Sequence, residues 1–167
     1  MAGSATPRST RTGRFGARVL GNRTLMRAPI WLYRAGLGFL FGSRLLMLEH
    51  VGRSSGARRY VVLEVIGHPA PGTYLVASGF GTRAQWFRNV LAHPRVRVAV
   101  AAHGPRPATA RRLSTTEADA ALAGYVRAHP KAWATFKTVL EHTLGRPIGE
   151  QHTELPIVEL RLDRSGT

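Results

Sequence analysis

Strand-like segments in this sequence follow one another in runs that are separated by short turns. Polar and apolar residues alternate strictly over 95–101, so that three valines share one face, and a turn at 103–104 leads into a returning strand at 107–113. A parallel pair would need a long crossover connection between its strands. The pattern therefore predicts an antiparallel sheet within an α+β domain, and we expect the sheet to close into a small barrel.

Further strands and helices are expected on both sides of this hairpin. Ser114 and Glu117 have the spacing of a capping box, which predicts a helix start at 114 or 115. A second helix is expected to begin at Pro130, since proline favours the first turn of a helix. The remaining expected elements are strands at 45–51, 59–67, 74–78 and 156–162, and helices at 82–93, from 114 or 115 to about 129, and from 130 to about 144.

The sequence divides into a basic arm, an apolar segment and a folded domain. Residues 1–24 are small, polar and basic, and no apolar run of a secretory signal follows them, so we expect a flexible arm. Residues 25–44 are apolar but contain arginines, whereas a membrane-spanning helix needs about 20 predominantly apolar residues. We expect a helix there that either covers the core or lies in a membrane interface. Residues 45–164 are expected to form the barrel domain.

The charge of the chain is strongly positive and unevenly distributed. Its 167 residues include 24 Lys+Arg, 9 Asp+Glu and no cysteine, for a net charge of +15. The positive excess lies within residues 1–114, where the candidate partners are a nucleic acid, an anionic membrane surface, or a cofactor that bears phosphate or carboxylate groups. The lack of cysteine excludes a thiolate nucleophile and a cysteine-ligated metal site, and it agrees with a reducing cytoplasm.

A glycine- and serine-rich turn with three arginines is predicted between the first two strands. Residues 52–59 read GRSSGARR. Glycines let a ligand approach the backbone, successive N–H groups form an anion-binding concavity, and arginine offers a planar fork to phosphate or carboxylate. The alternative is a solvated hairpin turn without a ligand. The spacing also places Ser54 as the nucleophile of a G-x-S-x-G motif, but a β-rich segment follows where a hydrolase needs a helix.

A second candidate binding segment joins a glycine loop at 77–81 to the start of a helix. Loop N–H groups at this position can bond the carbonyl edge of a ring, and Trp86 can pack against the ring. The alternative is that Trp86 and Phe87 are core residues. The sequence has no histidine spacing typical of a metal site, no pair of catalytic carboxylates and no recognised nucleic-acid-binding module. We therefore expect neither a metal ion nor a nucleic acid.

The sequence resembles the deazaflavin-dependent nitroreductase family in three segments that occur in order: HVGRSSGARR at 50–59, LVASGFG at 75–81 and QWFRNVLAHPRVRV at 85–98. Members of that family are mostly actinobacterial and use coenzyme F420. The resemblance implies a split β-barrel of the FMN-binding type with flanking helices, often as a homodimer. It also implies hydride transfer from the reduced deazaflavin to quinones, nitro compounds or other electron-poor acceptors, with FMN as the less favoured cofactor.

The resemblance further implies a set of binding residues. The family's G-R-K-S-G-x-x-R turn holds the phosphate and the acidic tail of the cofactor, and here Ser54 replaces its lysine, with Arg58 as a compensating cation. Ser78 is the expected catalytic residue, because it can steady the ring or the acceptor oxygen. The implied cofactor-binding residues are Gly52, Arg53, Ser54, Ser55, Gly56, Arg58, Arg59, Val61, Val62, Ala77, Ser78, Gly79, Phe80, Trp86 and Asn89. The residues expected at the acceptor are His129, Trp133 and Phe136, in a region where the family's founding member has tyrosines.

Two functional hypotheses follow from the sequence. The first is a cytoplasmic F420H2-dependent oxidoreductase that reduces a small-molecule acceptor, with peripheral contact between residues 25–48 and an anionic membrane. The second is a non-catalytic protein of the same fold that binds a deazaflavin, a flavin, a haem-like ring or a fatty acid. Because such a cofactor carries the hydride itself, the first hypothesis requires no catalytic dyad.

Overall fold

The computed structural model describes residues 42–149, 151 and 153–164. The arm expected over 1–24 lies outside these residues, and so does the helix expected over 25–44 apart from a turn at 42–44. The roles predicted for both segments therefore stay predictions. None of the helices in the described part of the chain is long and apolar enough to cross a membrane.

The described residues form six antiparallel strands that close into a barrel. The strands are β1 (Leu45–Val51), β2 (Arg58–Ala70), β3 (Thr73–Ala77), β4 (Arg95–Val100), β5 (His103–Arg112) and β6 (Ile157–Leu162). They are hydrogen-bonded in the order β1-β2-β3-β6-β5-β4, and β4 pairs in turn with β1. This arrangement confirms the predicted α+β class and the antiparallel barrel.

Within the described ranges, three α-helices pack on the barrel. They are α1 (Gln85–Ala92), α2 (Thr115–Ala128) and α3 (Pro130–Leu144), and a 3-10 helix at Gly81–Arg83 precedes α1. The predicted capping box is present at the start of α2, because Ser114 Oγ accepts the N–H of Glu117 while the Glu117 carboxylate accepts the N–H of Ser114. Helix α2 packs against β2 and against α3.

Inward-facing side chains of the strands form the core of the barrel. Leu46 and Leu48 of β1 are completely buried there, and Phe87 and Val90 of α1 belong to the same cluster. Helix α1 therefore covers the barrel interior at one end. A second apolar cluster joins the outside of the barrel to α2 and α3 through residues such as Leu122 and Leu140. Burial of each such side chain stabilises the fold by roughly 1.5–3 kcal/mol.

The structure differs from the sequence prediction at two elements. The predicted turn at 103–104 already belongs to β5, because the chain reverses at Ala101–Ala102, where Ala101 has a left-handed φ of 51°. The helix predicted over 82–93 is interrupted at Ala84, whose ψ of 127° is extended. As a result α1 begins at Gln85, and Gln85 and Asn89 lie one turn apart on the same side of this helix.

Candidate functional site

The turn between β1 and β2 is a compact loop with two internal backbone hydrogen bonds. The N–H of Gly52 donates to the Ala57 carbonyl at 2.9 Å, and the N–H of Gly56 donates to the Gly52 carbonyl at 2.8 Å. Gly56 has a φ of 65°, which lies in the left-handed region where glycine is favoured. The glycines of the predicted motif are therefore explained in part by the conformation of the turn itself.

Gly52 has a further role, because two side chains crowd its Cα. A Cβ atom added at Gly52 would lie 2.6 Å from Ser55 Oγ and 2.9 Å from Arg59 Nε. Real Cβ atoms do not approach other heavy atoms this closely, so any larger residue would displace the Ser55 hydroxyl and the Arg59 guanidinium. Glycine at this position thus lets Arg59 lie over the turn.

Arg53 is fixed at the tip of the turn by two amide side chains of α1. Its backbone N–H and its Nη1 both donate to Asn89 Oδ1 at 3.1 Å, and Nη1 also donates to Gln85 Oε1 at 2.9 Å. Both hydrogens of Nη1 are thereby used. Within the described part of the chain, the Nε and Nη2 donors of Arg53 have no hydrogen-bond partner. These two donors form the edge through which a guanidinium can pair with two oxygens of a carboxylate or phosphate group.

These residues surround a cavity of about 220 Å³ between the turn and α1. Five residues of the predicted motif line it together with two residues of the helix: Gly52, Arg53, Ser54, Ser55, Arg59, Gln85 and Asn89. The structure thus brings together most of the residues predicted to hold the anionic part of the cofactor. Gly56 and Arg58 do not line the cavity, and the Nη1 atom of Arg58 lies 3.5 Å from the Glu49 carboxylate instead.

A buried histidine supports this cavity from the inside of the barrel. His50 is 4% exposed, and its Nδ1 lies 3.2 Å from Asn89 Nδ2. Because Asn89 Oδ1 accepts from Arg53, the amide presents its Nδ2 donor to His50, so His50 Nδ1 accepts and the imidazole is neutral. Burial, and secondly the positive charge of Arg59, lower the pKa of His50 from 6.5 to about 4.

The loop after β3 does not present Ser78 to a ligand. Ser78 is completely buried, its Oγ donates to the Gly81 carbonyl at 2.7 Å, and its N–H donates to the Pro156 carbonyl at 2.8 Å. A hydroxyl that is enclosed and already donates its proton to the backbone cannot also steady an acceptor oxygen. The prediction that Ser78 is catalytic is therefore not supported by this geometry, which gives it a structural role.

The glycines of the same loop accommodate a helix. A Cβ on Gly79 or on Gly81 would lie 3.1 Å from a leucine methyl of α3, Leu140 in the first case and Leu144 in the second. Ala77 ends β3 and pairs with Ile157 of β6, while Phe80 is exposed. Close packing of α3 thus accounts for the small residues, and a contact between Ala77, Gly79 or Phe80 and the cofactor stays a prediction.

The hydrophobic residues expected beside the cofactor ring do not share one surface. Successive residues of a strand point to opposite faces, so Val61 packs against the barrel core while Val62 packs with Met47 on the outside. Trp86 is 9% exposed and belongs to the barrel core. Its ring packs edge-to-face with that of Phe87, with the ring centroids 6.0 Å apart. The structure favours the core interpretation of Trp86 over a contact with a ring.

A larger cavity of about 510 Å³ lies where α2 and α3 meet β2. His129 lines it together with Glu64 and Tyr125, whereas Trp133 and Phe136 do not. Trp133 is buried and packs edge-to-face on Tyr125, with ring centroids 6.5 Å apart. Of the three residues predicted at the acceptor, one is thus placed at a cavity, and the other two form the aromatic layer that supports Tyr125.

The sequence matches the model of the F420H(2)-dependent quinone reductase family over residues 25–152. The chain belongs to this family. It is therefore an F420-dependent reductase whose cofactor is coenzyme F420, as the resemblance implied, and the enzyme hypothesis is confirmed over the non-catalytic binding protein. A comparison with curated proteins found no match.

Solved structures share the fold of this F420-dependent reductase. One is described as an F420-H2 dependent reductase (FDR-A) and is 24% identical, with a TM-score of 0.50 over 71% of this chain and 94% of that chain. Another is described as a domain-swapped dimer and is 21% identical, with a TM-score of 0.52 over 89% of this chain and 98% of that chain. The protein Atu2129 from Agrobacterium tumefaciens is 21% identical, with a TM-score of 0.53, and its coverage is 81% of this chain and 55% of its own. At these identities the similarity shows the fold alone.

Sequence reasoning missed four residues that line or support the two cavities of this reductase. His50 is the third inward position of β1 after Leu46 and Leu48, so the period-two pattern alone signals a polar group facing the core. Gln85 stands four residues before Asn89 on one helix face. Tyr125 and Glu64, whose hydroxyl and carboxylate lie 3.1 Å apart, carry no sequence signal because they are 61 residues apart.

The structural role of Ser78 predicts a stability defect without a catalytic defect. Replacement of Ser78 by alanine removes a buried hydrogen bond and leaves the Gly81 carbonyl with only the longer bond from the Ala84 N–H, at 3.4 Å, so we expect the free energy of unfolding to fall by about 1–2 kcal/mol. Urea unfolding measures this change, and kcat of the reductase should stay within about twofold. A fall in kcat by roughly 100-fold at unchanged stability would restore the catalytic role.

The neutral state of His50 predicts an acid-sensitive stability. Below pH 6.5 the unfolded chain protonates this histidine, whereas the folded chain does so only near pH 4. The free energy of unfolding should therefore fall as the pH is lowered from 6.5 to 4. The loss due to His50 should reach about 1–3 kcal/mol and increase no further below pH 4. The H50N variant should lack this contribution, so denaturant unfolding of both proteins across the range isolates it. Parallel pH profiles would contradict the assignment.

Proposed function

We propose that this reductase transfers a hydride from reduced F420 to a quinone, with nitro compounds and other electron-poor molecules as further acceptors. The observation that supports the binding site is the guanidinium edge of Arg53 that has no partner among the described residues, held by Asn89 and Gln85 beside Arg59. Two arginines and two serine hydroxyls around one small cavity are a donor set suited to phosphate and carboxylate groups. The anionic part of the cofactor is proposed to bind there.

The turn fits such a group for a second reason. The absence of a side chain at Gly52 lets Ser55 Oγ and Arg59 Nε approach the backbone, so hydroxyl and guanidinium donors converge on one point. When bound, F420H2 supplies the hydride, and the protein has to bind it, orient it and keep the reacting atoms apart from competing water. Arg53 and Arg59 would hold the anionic end, and their fixed positions would orient the rest of the cofactor.

The larger cavity is the proposed acceptor site. Arg59 and Glu64 are five residues apart on β2, so the two positions lie roughly 16 Å apart along the strand and their side chains point to opposite faces of it. A cofactor that reaches both cavities must therefore be extended and pass from the turn at the end of the barrel to its outer face. The acceptor would then bind beside Glu64, Tyr125 and His129.

The polar groups of the larger cavity define the acceptor chemistry that we propose. Tyr125 donates its hydroxyl proton to Glu64 at 3.1 Å, and burial, followed by the nearby Glu64 charge, raises the pKa of Tyr125 to about 12. Tyr125 is thus a neutral phenol at physiological pH, and its ring gives an apolar wall beside His129. A flat quinone fits these surroundings, since Arg44 and Lys131 of the same lining are donors for its carbonyl oxygens, and water would supply the proton that the reduced acceptor takes up.

A homodimer in the cytoplasm is the proposed state of the reductase. The support is the sequence resemblance, together with one structural relative that is described as a domain-swapped dimer. Peripheral contact with an anionic membrane through residues 25–48 is kept as a prediction. Light scattering of the purified protein tests the dimer, and co-sedimentation with anionic liposomes tests the membrane contact.

Removal of both cavity arginines should sharply weaken the binding of the cofactor. In an R53M/R59M variant two sets of charge-assisted hydrogen bonds are lost, so we expect the dissociation constant for F420 to rise about 100-fold or more. Fluorescence titration with F420, and with FMN in parallel, measures this change. The matched control is R95M/R161M, which removes the same charge from exposed positions outside both cavities and should change the constant less than threefold.

Turnover assays test the proposed acceptor class separately from the proposed cofactor site. The wild-type protein, reduced F420 and a simple soluble quinone should give cofactor oxidation, and a nitroaromatic compound in its place should react more slowly. Equal affinity of the R53M/R59M variant and the control would contradict the binding site. Turnover of nitroaromatic compounds but not of quinones would contradict the acceptor class while leaving the binding site intact.

A methyl group at Gly52 should weaken the binding of the cofactor without unfolding the protein. The G52A variant places its Cβ against Ser55 and Arg59, and both side chains must move away from the cavity. We expect affinity for F420 to fall about tenfold or more. The control is G104A, since no heavy atom lies within 4 Å of a Cβ at Gly104. Equal affinities of the two variants would show that the close approach of Arg59 to the backbone is not needed for binding.

A further inference from the structure

His50 ends the row of inward-facing residues on β1 and lies directly behind the cavity. It is 4% exposed, and Asn89, which separates it from Arg53, is 3% exposed. The ordinary expectation for this position of a barrel strand is an apolar residue, as at Leu46 and Leu48. The side chain of this histidine hydrogen-bonds to the Asn89 amide at 3.2 Å, and the backbone of Val51 interacts with the imidazole as well.

Arg53, in the turn, determines the direction of the hydrogen bond between Asn89 and His50. Arg53 offers only donors, so the Asn89 oxygen must face Arg53 and the Asn89 nitrogen must face His50. A half-turn of the amide would place its NH2 group against two N–H donors of Arg53. The amide can therefore hold Arg53 only in one of its two orientations, and that orientation needs an acceptor at position 50.

We propose that His50 is a positioning residue for cofactor binding: as the acceptor for Asn89 Nδ2, it selects the amide orientation that holds Arg53 with its free edge toward the ligand. This inference rests on the proposed function of the turn at 52–59. His50 touches neither the cavity nor the reacting groups, and it acts through Asn89 alone.

The charges around His50 require the same neutral acceptor. Arg59 is its register partner on β2, and Arg53 approaches from the turn, so the two neighbouring charges are both positive. From α1 the facing group is the uncharged Asn89 amide. A cationic imidazole would add a third positive charge and a donor opposite a donor. The neutral imidazole is thus the state that gives Asn89 Nδ2 an acceptor and adds no third positive charge.

Two substitutions at His50 separate the acceptor from the bulk of the side chain. H50L introduces an apolar side chain of similar size and removes the acceptor, and we expect the dissociation constant for F420 to rise about tenfold. H50N carries an amide oxygen two bonds beyond Cβ, where the imidazole has Nδ1, and should bind within about twofold of the wild type. At saturating reduced cofactor, kcat with a quinone should be similar for all three proteins, because His50 does not touch the reacting atoms.

The controls distinguish this inference from the proposed function and from loss of stability. V158A removes buried volume from the same core and should lower stability without weakening F420 binding. If R53M/R59M fails to weaken binding, the site itself is wrong. If that variant weakens binding but H50L does not, or if H50N binds as weakly as H50L, His50 has no positioning role. A large fall in kcat of H50L at saturating cofactor would also overturn it.

Discussion

The candidate site depends on one buried side-chain amide that joins three parts of the fold. Asn89 accepts two hydrogen bonds from Arg53 in the turn, offers its nitrogen to His50 inside the barrel, and is itself carried by α1. Unpaired polar groups at this depth would each cost about 1–3 kcal/mol. Pairing of both the oxygen and the nitrogen of the amide therefore ties the position of the turn to the position of the helix, and neither can shift alone.

Closure of the barrel is what brings these parts together. Helix α1 belongs to the connection between β3 and β4, which are not neighbours in the sheet. The connection must therefore cross the barrel, and Phe87 and Val90 bury themselves in the core at its end. The face of α1 that carries Gln85 and Asn89 is then presented to the β1–β2 turn. The apolar residues of one helix thus place its polar residues at the ligand site.

The local elements of the fold could be read from the sequence, whereas the tertiary contacts could not. The predicted starts of α2 and α3 agree with the structure, because a capping box and a proline act within a few residues. The arginine turn was likewise found from its composition. The Ser78 N–H donates to the carbonyl of the distant Pro156, and the Tyr125–Glu64 pair joins positions 61 residues apart. Such contacts have no local pattern, so the catalytic prediction for Ser78 was not supported and Tyr125 was missed.

The same network offers a physical account of the serine at position 54. Loss of a lysine removes a cation, yet a flexible lysine also loses side-chain entropy of up to about 2 kcal/mol when a ligand immobilises it. Arg53 is held at its backbone and at Nη1 before any ligand binds, so this entropy is lost during folding instead. In the proposed site, fixed geometry therefore offsets the lower charge. A neutral His50 also contributes to this fixed geometry, because it holds Asn89 without placing a third positive charge beside Arg53 and Arg59.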